Sequence, residues 1–182
     1  MPPLRADQIR RIQTLQRRLI DHDLTKYNLH RAYNLQQKTS CILVPGQVAD
    51  DASVLCGGGP KGDNLSLLKR VRNANPNAFI LFKPHPDVES NLRLGALPKK
   101  TILRFADNCL ENCGAAQALR SCDAVHTGIS LMGFEALLRG ISVTTYGQPF
   151  YAGWGLTNDL GPRITRRKPG LTLLEFLYGC LI

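Results

Sequence analysis

The chain has 182 residues, of which 43% are hydrophobic and 20% are charged, as in an ordinary soluble globular protein. No apolar run approaches the roughly 20 residues that a membrane-spanning helix needs, and none near the N-terminus is typical of a signal peptide. The composition therefore favours a cytoplasmic protein with one full hydrophobic core.

The net charge of +9 is concentrated at the two ends of the chain. Residues 1–38 contain eight Lys or Arg against three Asp, and a second basic cluster contains Arg163, Arg166, Arg167 and Lys168. Only 7% of residues are aromatic, whereas nucleic-acid binders spread basic side chains over one face with aromatics between them. We expect no nucleic acid as partner, and an anionic membrane surface or a negatively charged substrate fits better.

The six cysteines are scattered, and only Cys109 and Cys113 form a close pair. A structural zinc site needs two such pairs or a His cluster. The sequence predicts buried free thiols, no metal and no resident cofactor.

Residues 4–38 are expected to form one long helix or two joined helices. Apolar residues recur there at steps of three and four, from Ile9 and Ile12 to Leu19, with arginines between them. A stripe of this kind packs either on the following domain or on something outside the chain. We treat 1–38 as an N-terminal helical segment and 39–182 as the main domain.

The rest of the chain alternates short apolar runs with helical patterns, which predicts an α/β fold with a parallel sheet covered on both faces. Asp63 or Asn64 is expected to cap the first helix, Gly140 to end another, and Thr172 with Glu175 to form a capping box. Loops are expected at 47–62 and 147–162. The predicted strands are 41–44, 78–81, 101–105, 123–126 and 141–146, and the predicted helices are 64–73, a short one through Leu92 and Leu94, 115–121, 131–138 and 171–181.

Polar side chains follow three of the predicted strands. Lys83 and His85 lie in Lys83-Pro84-His85-Pro86, where two prolines hold the loop extended. Because the carboxyl ends of parallel strands meet at one edge of a sheet, this loop is expected to face an anionic ligand there. A stiff surface turn without a ligand is the alternative.

The strand before Gln47, Asp50 and Asp51 and the strand before Thr127 and Ser130 end at the same predicted edge. Ser130 begins a helix, so it serves either as a plain N-cap or as part of a phosphate site at the helix end. Adjacent Asp50 and Asp51 point in opposite directions in an extended loop, so at most one of them faces a ligand there.

Glu135 lies in an apolar helix and needs a partner, for which ribose hydroxyls and Arg139 are the candidates. The loop from Gly147 to Pro162 carries the single Trp together with Phe150 and Tyr151. Aromatics on such a glycine-rich loop suit a sugar or base face, or they form a lid that packs on the core.

Four ordered blocks together resemble the bacterial capsule polysaccharide synthesis proteins of the KpsC type, over residues 41 to 182. The blocks are Pro45-Gly46-Gln47-Val48-x-Asp50-Asp51-Ala52-Ser53, Lys83-Pro84-His85-Pro86-Asp87-Val88, Ser130-Leu131-x-Gly133-Phe134-Glu135-Ala136-Leu137-Leu138-Arg139-Gly140 and Tyr146-Gly147-x-Pro149-Phe150-Tyr151-Ala152-Gly153-Trp154-Gly155-Leu156-Thr157. Members of that family are several times longer, so the chain is expected to be about half of one transferase module, without the acceptor-binding half.

The resemblance implies a retaining β-Kdo glycosyltransferase that uses CMP-Kdo, with a Rossmann-like fold corresponding to one half of a GT-B-like enzyme. The partners implied are CMP-Kdo, a phosphatidylglycerol-linked Kdo acceptor, the inner-membrane surface and capsule assembly proteins. A protein peripheral to the inner membrane is the corresponding location.

The resemblance also implies roles for individual residues. Lys83 and His85 would hold the CMP phosphate, supported by Ser130 and Thr127, and Glu135 would bind the donor nucleotide. Asp51 would be the catalytic carboxylate with Gln47 beside it, an assignment over Asp50 that rests on motif spacing.

Two other functions remain possible on the sequence. A truncated, non-catalytic module would bind nucleotide or act as a scaffold in capsule assembly, although Gln47, Asp51, His85 and Ser130 are all present. An RNA-binding domain is suggested only by the net charge and predicts steeply salt-dependent affinity.

Overall fold

The computed structural model describes residues 3–26, 40–58 and 62–182. These residues form one six-stranded sheet, in which every pair of neighbouring strands is parallel, and helices cover both of its faces. The strands are β1 (Cys41–Pro45), β2 (Phe79–Lys83), β3 (Asn108–Cys109), β4 (Ala124–Thr127), β5 (Ser142–Thr145) and β6 (Asn158–Asp159). The helices are α1 (Ala6–Asp21), α2 (Ala52–Gly57), α3 (Asn64–Ala74), α4 (Pro86–Glu89), α5 (Lys99–Ile102), α6 (Ala115–Arg120), α7 (Leu131–Leu138) and α8 (Leu173–Leu181).

The strand order is β3-β2-β1-β4-β5-β6, which is the order of the Rossmann fold. The chain builds the sheet outward from β1 to β3, then crosses to β4 and builds outward in the other direction. β1 and β4 are neighbours, with Leu43 opposite Val125. The crevice beyond their carboxyl ends is therefore the position where such sheets bind ligands. The predicted fold class is confirmed.

Alternation along the strands divides the core into two clusters, one on each face of the sheet. Leu43 and Leu81 lie in the cluster that contains side chains of α1, α6, α7 and α8. Ile42 and Ile80 lie in the cluster that contains side chains of α3 and α5. Because parallel strands are buried on both faces, the four central strands are almost entirely apolar or uncharged.

Helix α1 packs on the domain, as one of the two alternatives for its apolar stripe requires. Ile12 is fully buried in the core, Gln8 donates from Nε2 to the Tyr178 hydroxyl at 3.0 Å, and Gln16 donates to the Leu138 carbonyl at 2.8 Å. The helix ends at Asp21, so the single helix over 4–38 is wrong, and Asp23 has a φ of +50°. Residues 27–38 of the predicted segment and its boundary with the main domain lie outside the described residues.

The predicted strand 101–105 is wrong. Residues 99–102 form α5, and the Phe105 amide donates to the Ile102 carbonyl at 2.9 Å. Ile102 is buried and Phe105 packs on the same cluster, whereas Leu103 is 47% exposed, which is helical rather than strand periodicity. The third strand is instead the two-residue β3, which pairs with Leu81 and Phe82.

The predicted helix through Leu92 and Leu94 is also wrong, because the helix in that region is α4 and both leucines are exposed. Helix α2 and the short strand β6 lie inside segments that we predicted as loops. The predicted caps are confirmed: Asp63 accepts from the Ser66 amide, Thr172 and Glu175 form a capping box, and Gly140 has a φ of +71°.

The cysteines are free, as predicted, but not all of them are buried. Cys56 and Cys180 are exposed because they lie near the ends of the amphipathic helices α2 and α8. The prediction of burial was therefore wrong for these two.

Candidate functional site

A cavity of about 360 Å³ lies at the carboxyl edge of the sheet, beside the crevice between β1 and β4. Loops that follow β1, β2 and β4 form most of its wall, and the rest comes from the first two turns of α7, the start of α2, Lys26 and Phe150. Six of the seven predicted site residues line it: Gln47, Asp51, Lys83, His85, Ser130 and Glu135.

Lys83 is the last residue of β2, and its side chain is only 2% exposed. Its Nζ donates to the Pro84 carbonyl at 3.3 Å. Burial lowers the pKa of Lys83 from its ordinary value of 10.5, against the opposing influence of carboxylates that include Glu89 and Glu135. A buried cation of this kind is costly to the fold and is a natural partner for a ligand anion.

His85 begins α4, and its Nδ1 accepts a hydrogen bond of 3.2 Å from the Asp87 amide. This bond requires an unprotonated Nδ1, so the neutral ring carries its proton on Nε2. Burial lowers the pKa of His85 below 6.5, which favours the same neutral form. The 3.8 Å approach of Nδ1 to the Asp87 carboxylate is therefore not an ion pair at neutral pH. The ring offers a neutral N–H donor.

The N-terminus of α7 is held by three hydrogen bonds that involve Ser130. Its Oγ accepts from the Met132 amide at 3.3 Å, its amide donates to the Thr127 Oγ1 at 3.1 Å, and its carbonyl accepts from the Tyr151 hydroxyl at 2.5 Å. Thr127 is fully buried and does not line the cavity. Its geometry is that of a residue that positions Ser130. Ser130 is thus an N-cap and a cavity residue at once.

The two adjacent aspartates lie in different surroundings. Asp51 lines the cavity, and its Oδ1 accepts from the Ser53 amide at 2.8 Å and from the Ser53 hydroxyl. These hydrogen bonds lower the pKa of Asp51 below its ordinary value of 3.8. Its Oδ2 accepts no hydrogen bond from the described residues. Asp50 lies outside the cavity and forms an ion pair with Arg93 at 3.1 Å.

Gln47 is 4% exposed and joins three loops at the floor of the cavity. Its Oε1 accepts from the Ile129 amide at 2.7 Å, and its Nε2 donates to the Gly62 carbonyl at 3.2 Å. Its backbone exchanges two hydrogen bonds of 2.8 Å with the Asn64 amide group. A Cβ at Gly128 would lie 2.8 Å from the Gln47 amide group, so a side chain there would displace that amide from its hydrogen bonds. Both ends of the Gln47 amide are occupied by the protein.

Glu135 is 6% exposed, and burial raises its pKa above the ordinary value of 4.5. Its Oε1 accepts from the Lys26 backbone amide at 2.8 Å, whereas Oε2 accepts no hydrogen bond from the described residues. Arg139 donates to the Glu135 backbone carbonyl at 2.9 Å rather than to the carboxylate. Of the two predicted partners, Arg139 therefore does not hold the carboxylate, and the ribose remains a prediction.

The aromatic loop packs mainly on the core. Tyr151 is fully buried and Trp154 contacts Phe176, as a lid on the core requires. A Cβ at Gly133 would overlap the Tyr151 hydroxyl, which explains glycine inside α7. Phe150 is 45% exposed and lines the cavity, so one aromatic of this loop is available to a ligand.

Reasoning from the sequence missed Lys26 as a cavity residue, and it named Phe150 only as part of an aromatic loop that would form either a sugar or base face or a lid. Phe150 stood in a block that we singled out, so its adjacency to Tyr151 was the available signal. Lys26 carried none, because it follows α1 in sequence and reaches the cavity only through the tertiary fold.

A parallel sheet in Rossmann order, with basic side chains and a helix N-terminus around the crevice at its switch point, defines a doubly wound α/β domain of the Rossmann type. Residues 4–178 match the family model described as capsule polysaccharide biosynthesis protein. The chain belongs to that family.

Curated relatives include the capsule polysaccharide modification protein LipA of Neisseria meningitidis serogroup B, 47% identical over 170 residues. The lipopolysaccharide-processing protein LpsZ of Rhizobium meliloti is 37% identical over 153 residues. These alignments cover 92% and 81% of the chain, but 24% of LipA and 35% of LpsZ. The chain thus spans between a quarter and about a third of the length of these relatives.

Two solved structures from Thermosulfurimonas dismutans share the fold. One is the KpsC β-Kdo 2,7 transferase, with a TM-score of 0.81 and 36% identity over 98% of the chain and 54% of that structure. The other is the KpsC β-Kdo 2,4 transferase, with a TM-score of 0.82 and 29% identity over 97% of the chain and 56% of that structure. Both structures have a GT-B-like architecture, and the chain corresponds to about half of each.

None of the helices among the described residues is both long and apolar enough to cross a membrane. Within the same ranges, no group of three or more His, Cys, Asp or Glu side chains is arranged to hold a metal ion.

Proposed function

We propose that the chain is the donor-binding half of a retaining β-Kdo glycosyltransferase of capsule polysaccharide biosynthesis. In this proposal it binds CMP-Kdo and delivers Kdo to a lipid-linked Kdo acceptor. One observation carries it: the cavity at the switch point brings together six predicted residues from three separate segments of the chain. The similarity to two β-Kdo transferases supports the choice of sugar.

The phosphate of the donor would lie between β2 and the N-terminus of α7. Lys83 supplies a buried positive charge, and the neutral His85 ring supplies an N–H donor. Helix α7 has eight residues and directs its first amides and the positive end of its dipole to the same place. Neutralising the phosphate makes CMP a better leaving group, because negative charge develops on it as the glycosidic bond breaks.

Asp51 would form the covalent intermediate. Its lowered pKa keeps the carboxylate ionised, and Ser53 occupies Oδ1 while Oδ2 remains available for attack. A bond forms between that oxygen and the anomeric carbon as the bond to CMP breaks. An acceptor hydroxyl then displaces the Asp51 carboxylate, which leaves as the free anion, and the hydroxyl proton passes to solvent water as the new glycosidic bond forms, so two inversions give retention.

Gln47 and Glu135 would support this arrangement from the cavity wall. Gln47 fixes the loop that carries Asp51 relative to the turn that carries Ser130. Glu135 has one oxygen, Oε2, to offer to the donor ribose. Gln47 is in our proposal a positioning residue rather than a group that touches the reacting atoms.

The remaining partners follow from the same proposal. The acceptor would be Kdo linked to phosphatidylglycerol, and its lipid would bring the protein to the cytoplasmic face of the inner membrane beside other capsule assembly proteins. The exposed arginines of α1, which include Arg10 and Arg17, suit an anionic surface.

Thermal unfolding of the 182-residue chain in the presence of CMP tests donor binding. We expect millimolar CMP to raise the melting temperature, because a ligand that binds only the folded state stabilises it. His85→Ala and His85→Asn should both abolish the shift, and Asn retains an oxygen that can cap α4. An unchanged melting temperature of the wild-type chain would contradict the proposal.

A non-catalytic module is the second candidate, because the chain covers only 54% of one solved transferase and 24% of LipA. Such a module would bind CMP in the same cavity without transferring sugar. Incubation with CMP-Kdo and a lipid-linked Kdo acceptor separates the two functions. The assay should use the chain and, in parallel, the complete reading frame that encodes it.

A further inference from the structure

Lys26 brings a second lysine to the cavity from a segment that precedes the sheet. The chain turns after α1, where Asp23 pairs with Arg120 of α6, and then passes over α7. The Lys26 amide donates to the buried Glu135 carboxylate at 2.8 Å, and Lys26, which is exposed, is one of the residues that line the cavity. A buried carboxylate thus fixes the backbone of the residue that provides this cation.

The two lysines act on different parts of the cavity. The positive charges of Lys26 and Lys83 both affect His85 and Glu135. Only Lys26 of the two lowers the pKa of Asp51. Lys26 is exposed on the cavity wall that also carries Asp51, whereas Lys83 is buried at the end of β2 beside the His85 loop.

The proposed donor has two negative groups in different positions. One is the phosphodiester, and the other is the carboxylate of the sugar acid. That carboxylate is attached to the anomeric carbon, which is the atom that Asp51 attacks. A negatively charged nucleophile would approach a negatively charged centre, which is unfavourable at short range unless a cation lies between or beside them.

We propose that Lys26 binds the carboxylate of the donor sugar acid and so selects acidic sugars at this site, while Lys83 binds the phosphate. The inference rests on the proposed function. It assigns one lysine to each negatively charged group of the donor. The residues of β2 and α7 then bind the nucleotide. Glu135 then has a positioning role through the Lys26 backbone, in addition to any contact with ribose.

Calorimetric titration of the 182-residue chain with CMP and with CMP-Kdo tests this assignment, because CMP lacks the sugar carboxylate. Lys26→Met should lower the affinity for CMP-Kdo about 10- to 100-fold, the usual range for losing a charged hydrogen bond. It should change the affinity for CMP less than about threefold. Lys26→Arg should retain most of the affinity for CMP-Kdo.

Two further variants and one ligand complete the test. Lys83→Met should lower the affinity for both ligands. Lys100 is an exposed lysine of α5, and Lys100→Met should change the affinity for neither ligand. A CMP-Kdo analogue with a carboxamide in place of the carboxylate should bind the wild-type chain as weakly as CMP-Kdo binds Lys26→Met. Lys26→Met should not weaken the binding of that analogue further.

The possible failures differ in what they overturn. If the wild-type chain binds neither ligand, the proposed function fails and the assignment fails with it. If it binds both and Lys26→Met leaves CMP-Kdo unaffected, only the role of Lys26 is overturned. An equal loss for CMP and CMP-Kdo in Lys26→Met would make Lys26 a phosphate ligand, which also overturns the assignment.

Discussion

Two carboxylates line the same cavity, Asp51 from the loop between β1 and α2 and Glu135 from α7. Their surroundings shift their pKa values in opposite directions. In the loop, Asp51 is partly exposed and receives two hydrogen bonds from Ser53, which lower its pKa. In the helix, Glu135 is buried among apolar residues, which raises its pKa. Hydrogen bonds are the main cause of the pKa shift of Asp51, and burial away from solvent is the main cause of the pKa shift of Glu135.

This difference separates the tasks that the two carboxylates suit. A nucleophile must be ionised and must have an accessible oxygen, and Asp51 meets both conditions. One oxygen of Glu135 accepts a hydrogen bond from the Lys26 backbone amide, so Glu135 suits the role of positioning Lys26. Environments that move two carboxylic acids apart in pKa are a common way for one site to assign distinct roles.

The largest effect on activity is expected for a substitution of Asp51. Asp51→Asn should lower sugar transfer by about a thousandfold or more, because the amide cannot form the covalent intermediate. Asn also caps helices, so α2 and the affinity for CMP should be preserved. The measurement is the rate of Kdo transfer from CMP-Kdo to a lipid-linked Kdo acceptor, catalysed by the protein that the complete reading frame encodes.

Asp50→Asn is the matched control, because Asp50 is the adjacent aspartate and its partner Arg93 lies outside the cavity. It should retain transfer within about threefold of wild type, since exposed ion pairs contribute little. Transfer that survives Asp51→Asn, or that is lost in Asp50→Asn, would remove Asp51 from the role of nucleophile.

The next largest effect concerns Lys83, the buried cation opposite these carboxylates. Lys83→Met should weaken CMP binding about 10- to 100-fold, measured by calorimetry. The free energy of unfolding should not fall, because the substitution removes a buried charge and retains apolar volume. A variant that loses stability but not affinity would show that Lys83 has a structural role only.

A smaller effect separates the two carboxylates by the pH dependence of stability. The raised pKa of Glu135 contributes stability that is fully present below pH 4.5 and is lost as the pH rises through the folded-state pKa. The lowered pKa of Asp51 contributes stability that is present above pH 3.8 and is lost as the pH falls through its folded-state pKa. The two contributions have opposite slopes.

Urea unfolding at a series of pH values measures these slopes. Glu135→Gln should gain stability relative to wild type as the pH rises from 4.5 towards neutral, whereas Asp51→Asn should differ in its pH dependence only at the acid end. Parallel curves for wild type and Glu135→Gln would mean that burial does not perturb this carboxyl group.

The smallest effect tests the support of α7. Tyr151→Phe removes a buried hydroxyl that donates to the Ser130 carbonyl, and it should cost about 1–2 kcal/mol of unfolding free energy. Tyr178→Phe, which loses only a bond from Gln8 at the α1–α8 contact, should cost about half as much or less. Chemical denaturation measures both, and equal costs would argue against a special role for the Tyr151 hydroxyl.

The sequence predicted the sheet and most of the site because their signals are local. An apolar run followed by Lys83 and His85, or by Thr127 and Ser130, indicates a strand end that carries polar groups. Caps such as Asp63 and Thr172 are likewise determined by a few adjacent residues. Rossmann order then brings together strand ends that are far apart in sequence.

The elements that were missed depend on tertiary contacts. Strand β3 has two residues and exists only because Asn108 and Cys109 pair with β2. Residues 101–105 form a short, mostly apolar run that suits a strand as well as a helix, and packing of Ile102 and Phe105 on one face selects a helix and a turn. Lys26 reaches the cavity through a hydrogen bond to a residue 109 positions away, which no local pattern predicts.

The side chain of Gln47 has a thermodynamic consequence for any ligand of this cavity. It holds the loop after β1 to the turn after β4 and to Gly62, so these three segments must move together or not at all. A ligand that enters the crevice therefore has little conformational entropy left to remove from its walls. Such preorganisation lowers the entropic cost of binding relative to a site that must close around its ligand.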